Sequence, residues 1–300
     1  MSDDKIRKLI KKTQNKEIAG LSQLLTQLDR HGPKLLTHKS LSHPPHHSYR
    51  IGITGPPGAG KSTLINQLIT EFRKNNLTVA VIAIDPSSPF SKGAILGDRI
   101  RYLQHYQDKG VFIRSLGSRG SLGGLCASAY LMLRALDNYG FDITIIETVG
   151  VGQSELDIVH VADEIAVVLV PESGDSIQAM KAGLLEISDL YIVNKSDRPG
   201  AEGFINELKA SLELGLAYNP ELKKSKILKT TATTGDGALE LAEELTQRKQ
   251  SLDLEKLHKT APRLQAEARA LLKLQLEQNI LKQSEKIKSV EDLINLFKNS

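Results

Sequence analysis

Residues 55–62 read Gly-Pro-Pro-Gly-Ala-Gly-Lys-Ser, and no other stretch restricts the fold as tightly. This fits the pattern G-x-x-x-x-G-K-[ST], which needs a strand in front and a helix behind so that loop amides and helix N-terminal amides converge on one phosphate. Ile51 and Ile53 supply the strand; Leu64, Ile65, Leu68 and Ile69, three and four apart, supply the helix. Gly55, Pro56, Pro57, Gly58, Ala59 and Gly60 then form the cradle, with glycines letting N–H groups turn toward phosphate oxygens. Lys61 is expected to reach the β- and γ-phosphates and Ser62 to ligate Mg²⁺, the block running on to Thr63. An accidental glycine-rich turn is the other reading, and the flanking strand and helix argue against it.

The pattern around this loop predicts an α/β fold: a mostly parallel, doubly wound P-loop sheet with helical extensions at both ends. Apolar, β-branched runs at Arg50–Thr54, Thr78–Ile84, Val111–Arg114, Phe141–Glu147, Ile165–Val170, Leu190–Val193 and Lys226–Lys229 read as buried strands. Helical stretches such as Ser62–Lys74 and Gly123–Asn138 lie between most of them, the alternation that parallel sheets require. Residues 48–250 are therefore expected to form the nucleotide domain. Residues 1–47 carry Ile6, Leu9, Ile10, Leu21, Leu24, Leu25 and Leu28 at helical spacing, then a linker, His43-Pro44-Pro45-His46-His47. Residues 251–300 are rich in Lys, Glu, Leu and Gln, with Leu264, Ala268, Leu271, Leu272 and Leu274 at helical spacing, and read as a helical arm packing on the core or on a second copy.

Ligands on such sheets sit at the carboxyl ends of the strands, and the remaining polar motifs fall there. Asn194-Lys195-Ser196-Asp197 follows the sixth strand run and fits the guanine motif N-K-x-D. The Asp197 carboxylate can accept from guanine N1–H and its exocyclic amine. Adenine would leave it unpaired, which is a strong basis for discrimination. Asn194 would fix the loop and meet the base edge, and the Lys195 stem would pack over the ring. Thr231 and Ala232, ending the seventh run, would supply an amide to guanine O6. Glu147 ends the fourth run and would hold Mg²⁺ through water, with Gly150 bringing its N–H to the γ-phosphate. Asp85 ends the second run and Asp98 lies in the loop beyond; either could serve the metal, or cap a helix, or stand in solvent.

Composition removes several classes. The 300 residues carry a net charge of +4, which suits a nucleotide and is too weak to argue for nucleic acid. Trp is absent and aromatics make up 4%, so base-stacking platforms are scarce. A single cysteine, Cys126, precludes an intramolecular disulfide, and with no apolar signal core the expectation is a cytoplasmic protein without membrane insertion.

Taken together, GPPGAGKST (55–63), IDPSSPFSKGAILGDRIR (84–101), FIRSLGSRGSLGGL (112–125), IIETVGVGQSE (145–155) and VPESGDSIQAMKAGLLEISDLYIVNKSD (170–197) closely resemble the MeaB/ArgK family of GTPases. The likeness spans roughly residues 21–245. It implies a GTP/GDP- and Mg²⁺-binding chaperone that gates cofactor loading of an adenosylcobalamin-dependent acyl-CoA mutase, of the methylmalonyl-CoA mutase type, and protects or reactivates it. It further implies a homodimer joined through C-terminal helical arms. Asp175 and Lys181 match charged residues of the family's third switch, and Lys181 could approach the phosphates when the partner docks; alternatively, Asp175 caps a helix and Lys181 is a surface lysine. Gln153 and Glu155 match family positions without an assignable role. The tail departs from the family: residues 263–272 hold no Trp where a Trp-bearing helix is common.

Two rivals share this sheet type. A metal-insertion GTPase is suggested by His38, His43, His46 and His47, although no cysteine lies near them. A P-loop kinase linked to amino-acid transport would use the same phosphate loop, and the guanine motif argues against it. No arginine is placed by motif to neutralise transition-state charge, so hydrolysis is expected to be slow without a partner.

Overall fold

A computed structural model describes residues 3–85, 101–117, 127–148, 157–171, 187–219, 225–284 and 289–290. All seven expected runs form strands, with bounds shifted by at most three residues: β1 (Tyr49–Thr54), β2 (Val79–Asp85), β3 (Val111–Gly117), β4 (Ile143–Thr148), β5 (Glu164–Leu169), β6 (Leu190–Val193) and β7 (Lys226–Lys229). They make one sheet in the order β3-β2-β4-β1-β5-β6-β7, and every pairing is parallel. β1 lies centrally because the chain first crosses outward to β2 and β3, returns through β4, and then builds the other half.

The period-two pattern explains the layers. In β2, Val79 and Val81 face one core while Ala80, Ile82 and Ile84 face the other; in β5, Ala166 and Val168 oppose Ile165, Val167 and Leu169. The first core is closed by α4 (Lys61–Lys74) and α7 (Ala238–Gln250), through Leu64, Leu68, Phe72, Leu241 and Leu245. The second is closed by α5 (Ala127–Tyr139) and α6 (Ala201–Tyr218), through Leu131, Leu136, Phe204 and Leu208.

The N-terminal apolar positions extend that second core. Ile6, Leu9 and Ile10 of α1 (Asp3–Gln14) and Leu21, Leu24, Leu25 and Leu28 of α2 (Ile18–His31) are all buried in it. The turn between them is held by Lys16, at φ 63°, whose ammonium caps the carbonyl of Tyr139 at the end of α5. Gln14 adds a bond to Asn138 at 3.1 Å.

After the short α3 (Lys39–Ser42) and α8 (Leu254–His258), the long α9 (Ala261–Ser284) runs along α5. Arg134 of α5 clasps both oxygens of Glu267 at 2.6 Å and donates to Ser42 O at 2.9 Å, joining three helices. The inward face of α9 differs from the expected one. Ala266 and Leu271 are buried and Ala270 and Leu274 pack on the core, whereas Leu264 and Leu272 stand in solvent with Leu276 and Ile280. Apolar spacing alone could not tell these faces apart because α9 carries leucine on both.

Candidate functional site

The phosphate loop leaves β1 at Gly55, which only glycine tolerates: φ is +137°, and a Cβ would stand 2.1 Å from the Val168 carbonyl of β5. The loop returns at Gly60, φ +86°, which precedes the first residue of α4. There a Cβ would meet Asn194 Nδ2 at 2.4 Å. Leu64 N–H makes its bond to Gly60 O at 2.9 Å, so the amides of Lys61, Ser62 and Thr63 precede the α-helical ladder. These amides, with the positive end of the helix dipole, form an anion-binding terminus.

Lys61 is buried and folded over its own loop, donating to Gly55 O at 2.6 Å and Pro56 O at 3.0 Å. Pro57 and Gly58 are exposed at the rim and Ala59 is buried beneath.

Glu147 arrives beside the loop because β4 neighbours β1, with Ile53 registered against Glu147. Its carboxylate is 4% exposed; one oxygen accepts from Ser62 Oγ at 2.7 Å and the other from Tyr102 OH at 2.6 Å. Ser62 and Glu147 thus present hard oxygen donors at the mouth of the phosphate loop, the donor set Mg²⁺ takes. Beneath them Thr148 Oγ1 donates to Thr54 Oγ1 at 2.9 Å, tying the two strand ends together.

The second motif is bound to the first by one side chain. Asn194, at the end of β6, donates to Ala59 O at 2.8 Å. Its Oδ1 accepts from Thr230 Oγ1 at 3.1 Å and from Ala232 N–H at 3.0 Å. Lys195 then turns the chain in the left-handed region, φ 57°, and Ser196 N–H is bonded to Thr230 O at 3.1 Å. Asp197 is exposed at the tip. Gln67 of α4 reaches across to Ala232 O at 3.0 Å. The Ala232 amide, expected to meet a base oxygen, is here committed to Asn194.

Gly55 through Ser62, Glu147, Asn194, Thr231 and Ala232 therefore gather at one end of the sheet. Asp85 closes β2, two strands from β1, at the same carboxyl end. Asp98, Gly150, Asp175 and Lys181 lie outside the described residues, as do Cys126, Gln153 and Glu155.

Sequence reasoning missed Tyr102. Its segment is anchored on α4: Asn66 donates to Arg101 O at 2.6 Å, and a nitrogen of the buried His105 lies 3.1 Å from Asn66 O. Burial lowers the His105 imidazole below its usual range. Nothing in the spacing marks Tyr102, since its partner is 45 residues away.

A family model described as methylmalonyl Co-A mutase-associated GTPase MeaB matches residues 12–288. A Pyrococcus horikoshii protein described as a candidate GTPase is 50% identical over 204 residues, 68% of this chain and 64% of its own length. The Escherichia coli GTPase ArgK is 37% identical over 63% of this chain and 58% of its own. The mouse methylmalonic aciduria type A homolog, mitochondrial, is 35% identical over 65% of this chain and 47% of its own. The aligned part of this chain thus spans less than two thirds of the length of these relatives. Among solved structures, that of an LAO/AO transport system kinase superimposes with a TM-score of 0.63 at 23% identity, covering 100% of this chain and 91% of that one, a likeness of fold.

Proposed function

The chain belongs to the MeaB family, and from that premise we propose that it binds GTP with Mg²⁺ and hydrolyses it as a switch serving an adenosylcobalamin-dependent acyl-CoA mutase. The observation that carries the nucleotide part is Asn194, which holds the phosphate loop through Ala59 O and the second loop through Thr230 and Ala232. A site whose phosphate cradle and base loop share one buried clamp suits a ligand that has both ends.

In this reading Lys61 exchanges its two loop carbonyls for phosphate oxygens, and the loop amides from Gly58 to Thr63 receive the rest. Asn194 releases the Ala232 amide, or an adjacent amide of the same turn meets the base oxygen. Ser62 and Glu147 hold the metal, with Asp85 and Asp98 as further acidic groups. Bound metal neutralises charge on the phosphates. Tyr102 fixes the second Glu147 oxygen, which orients the first toward Ser62. Gly150 follows the γ-phosphate, and Asp175 and Lys181 answer to the partner. The mutase client rests on the family's own description. The homodimer has a candidate face in Leu272, Leu276 and Ile280, four residues apart and exposed on α9. Among the described residues no helix is long and apolar enough to cross a membrane; a cytoplasmic home is part of the proposal.

Steady-state phosphate release from GTP and from ATP, with and without an added mutase of this class, tests the reading. The expected result is slow release from GTP alone, none from ATP, and acceleration by the mutase. Equal release from ATP overturns the guanine site; release from GTP that no mutase alters removes the client and leaves the nucleotide site standing.

Asp197→Asn is expected to weaken GTP binding at least about tenfold while fold and phosphate loop persist, because guanine loses a charged acceptor worth ~1.5–3 kcal/mol. Competition between GTP, XTP and ATP for the variant measures this. An unchanged order of preference would remove Asp197 from the base site.

A further inference from the structure

At the amino end of the sheet, opposite the phosphate loop, three distant segments bring side chains together that the nucleotide chemistry does not use. His47 stands in the linker just before β1, Asp137 in the last turn of α5, and His258 closes α8. Their ligand atoms all lie within 4.8 Å of one another. His47 Nδ1 is 3.3 Å from His258 Nδ1 and 3.7 Å from Asp137 Oδ2. Around a four-coordinate ion with bonds of 2.0–2.1 Å, neighbouring donors stand about 3.3 Å apart. The imidazole planes cross at 81°, so both lone-pair directions can meet at one point without stacking the rings.

We propose that His47, His258 and Asp137 form a binding site for a divalent transition ion of the zinc class, which fastens the linker and α8 to α5. The surrounding groups are arranged as a second shell. His258 Nε2 lies 2.9 and 3.0 Å from the two oxygens of Asp163, so it carries the proton and donates it, leaving Nδ1 as a lone pair toward His47. Asp163 is itself held by Arg263 at 2.7 Å and by the Arg50 amide at 2.8 Å. Asp137 Oδ1 accepts from Ser48 N–H at 3.1 Å and Ser48 Oγ at 3.0 Å, and Thr144 Oγ1 donates to that serine at 2.9 Å. Both ligands of known orientation are therefore pre-aimed.

Arg50 decides which ion the site takes. Its guanidinium donates to Asp137 Oδ2 at 2.6 Å, leaving that oxygen one lone pair and offsetting its charge. A hard cation such as Mg²⁺, which depends on carboxylates, gains little here. Zinc-class ions gain from the two imidazoles. His47, with its side chain 13% exposed, is the side from which an ion and a completing water enter, since His258 and Asp137 are 4% and 1% exposed. The bland alternative is that the two imidazoles only share a hydrogen bond inside an ion-pair network.

The test uses the untagged full chain, stripped of metal and kept in saturating Mg²⁺ so that the nucleotide site is occupied. Co²⁺ is titrated in and its visible d–d absorption followed, then Zn²⁺ is added. Support is the strong absorption of four-coordinate Co²⁺, saturating at one ion per chain and displaced by Zn²⁺. The affinity should fall at least about tenfold in His47→Gln and in His258→Gln, and be unchanged in His43→Ala, which alters an exposed linker histidine. Glutamine keeps hydrogen-bonding capacity, and far-UV circular dichroism checks that each variant is folded. Weak six-coordinate absorption only, or parent-like affinity in both glutamine variants, overturns the site. If both variants unfold, the parent decides alone: a Zn²⁺-dependent rise in its unfolding midpoint supports the site, and no rise overturns it.

Discussion

A Lys61→Ala chain is expected to fold like the parent and to bind GTP at least about a hundredfold more weakly. Two of the ammonium's bonds go to Gly55 O and Pro56 O in its own loop, which water can reach once the side chain is shortened. Stability should therefore change by no more than about 1 kcal/mol. In the proposed nucleotide-bound state the same ammonium would face phosphate oxygens. Losing two charge-assisted bonds of ~1.5 kcal/mol or more each amounts to two decades of affinity. Titration with a fluorescent GTP analogue measures the affinity and thermal unfolding measures the fold. Parent-like affinity would mean that the ligand sits elsewhere than the cradle at 55–62. Lost affinity with lost fold would mean that the loop, and not the lysine's charge, is responsible.

The largest effect on stability is expected from Asp137→Ala, at about 3–5 kcal/mol, the usual cost of removing one partner from a buried ion pair. Arg50, Ser48 N–H and Ser48 Oγ would all lose their acceptor, and the Asp137 side chain is only 1% exposed, so water cannot replace it without opening the core. Burial alone would raise this carboxyl's pKa. The Arg50 charge, the nearby imidazole of His47 at 3.7 Å and the bonds from Ser48 outweigh it and hold the group well below the usual carboxylate range.

The sign of the pH dependence follows. A depressed folded pKa contributes stability that is complete above the unfolded value of about 4 and is lost as pH falls through the folded value. Urea unfolding of parent and variant should thus differ by a constant amount between pH 5 and pH 8, the gap closing only in strong acid. A gap that closes near neutrality would show that the histidines, and not Asp137, set the energetics of the cluster.

Much of the fold was legible in the residues. Seven β-branched runs, separated by helical spacing, became seven parallel strands, because period-two burial and strand propensity are local properties. The phosphate loop was legible because its glycine spacing is local and the left-handed backbone angles at Gly55 and Gly60 favour glycine, although the close approaches of Val168 O and Asn194 Nδ2 that also require it come from the fold. The family likeness read from blocks between residues 55 and 197 agrees with the family match over residues 12–288.

The order β3-β2-β4-β1-β5-β6-β7 was not legible, since strand propensity does not say which strand lies beside which. That order sets Glu147 beside Ser62, 85 residues apart, while the anchoring of the 101–105 segment on α4 brings Tyr102 to the other oxygen of the same carboxylate. Asn194 could be read as a base-site residue, but its grip on Ala59, 135 residues earlier, belongs to the packing of β6 against β5 and of β5 against β1. The histidines show the division most plainly. The sequence marked four of them in and before one linker. The fold selects His47 and pairs it with His258, 211 residues away, because the chain returns there after β7 and α7. Local chemistry is written in neighbouring residues; a hydrogen bond or a ligand set spanning the chain exists only once burial has closed the loops between its members and removed the competing water.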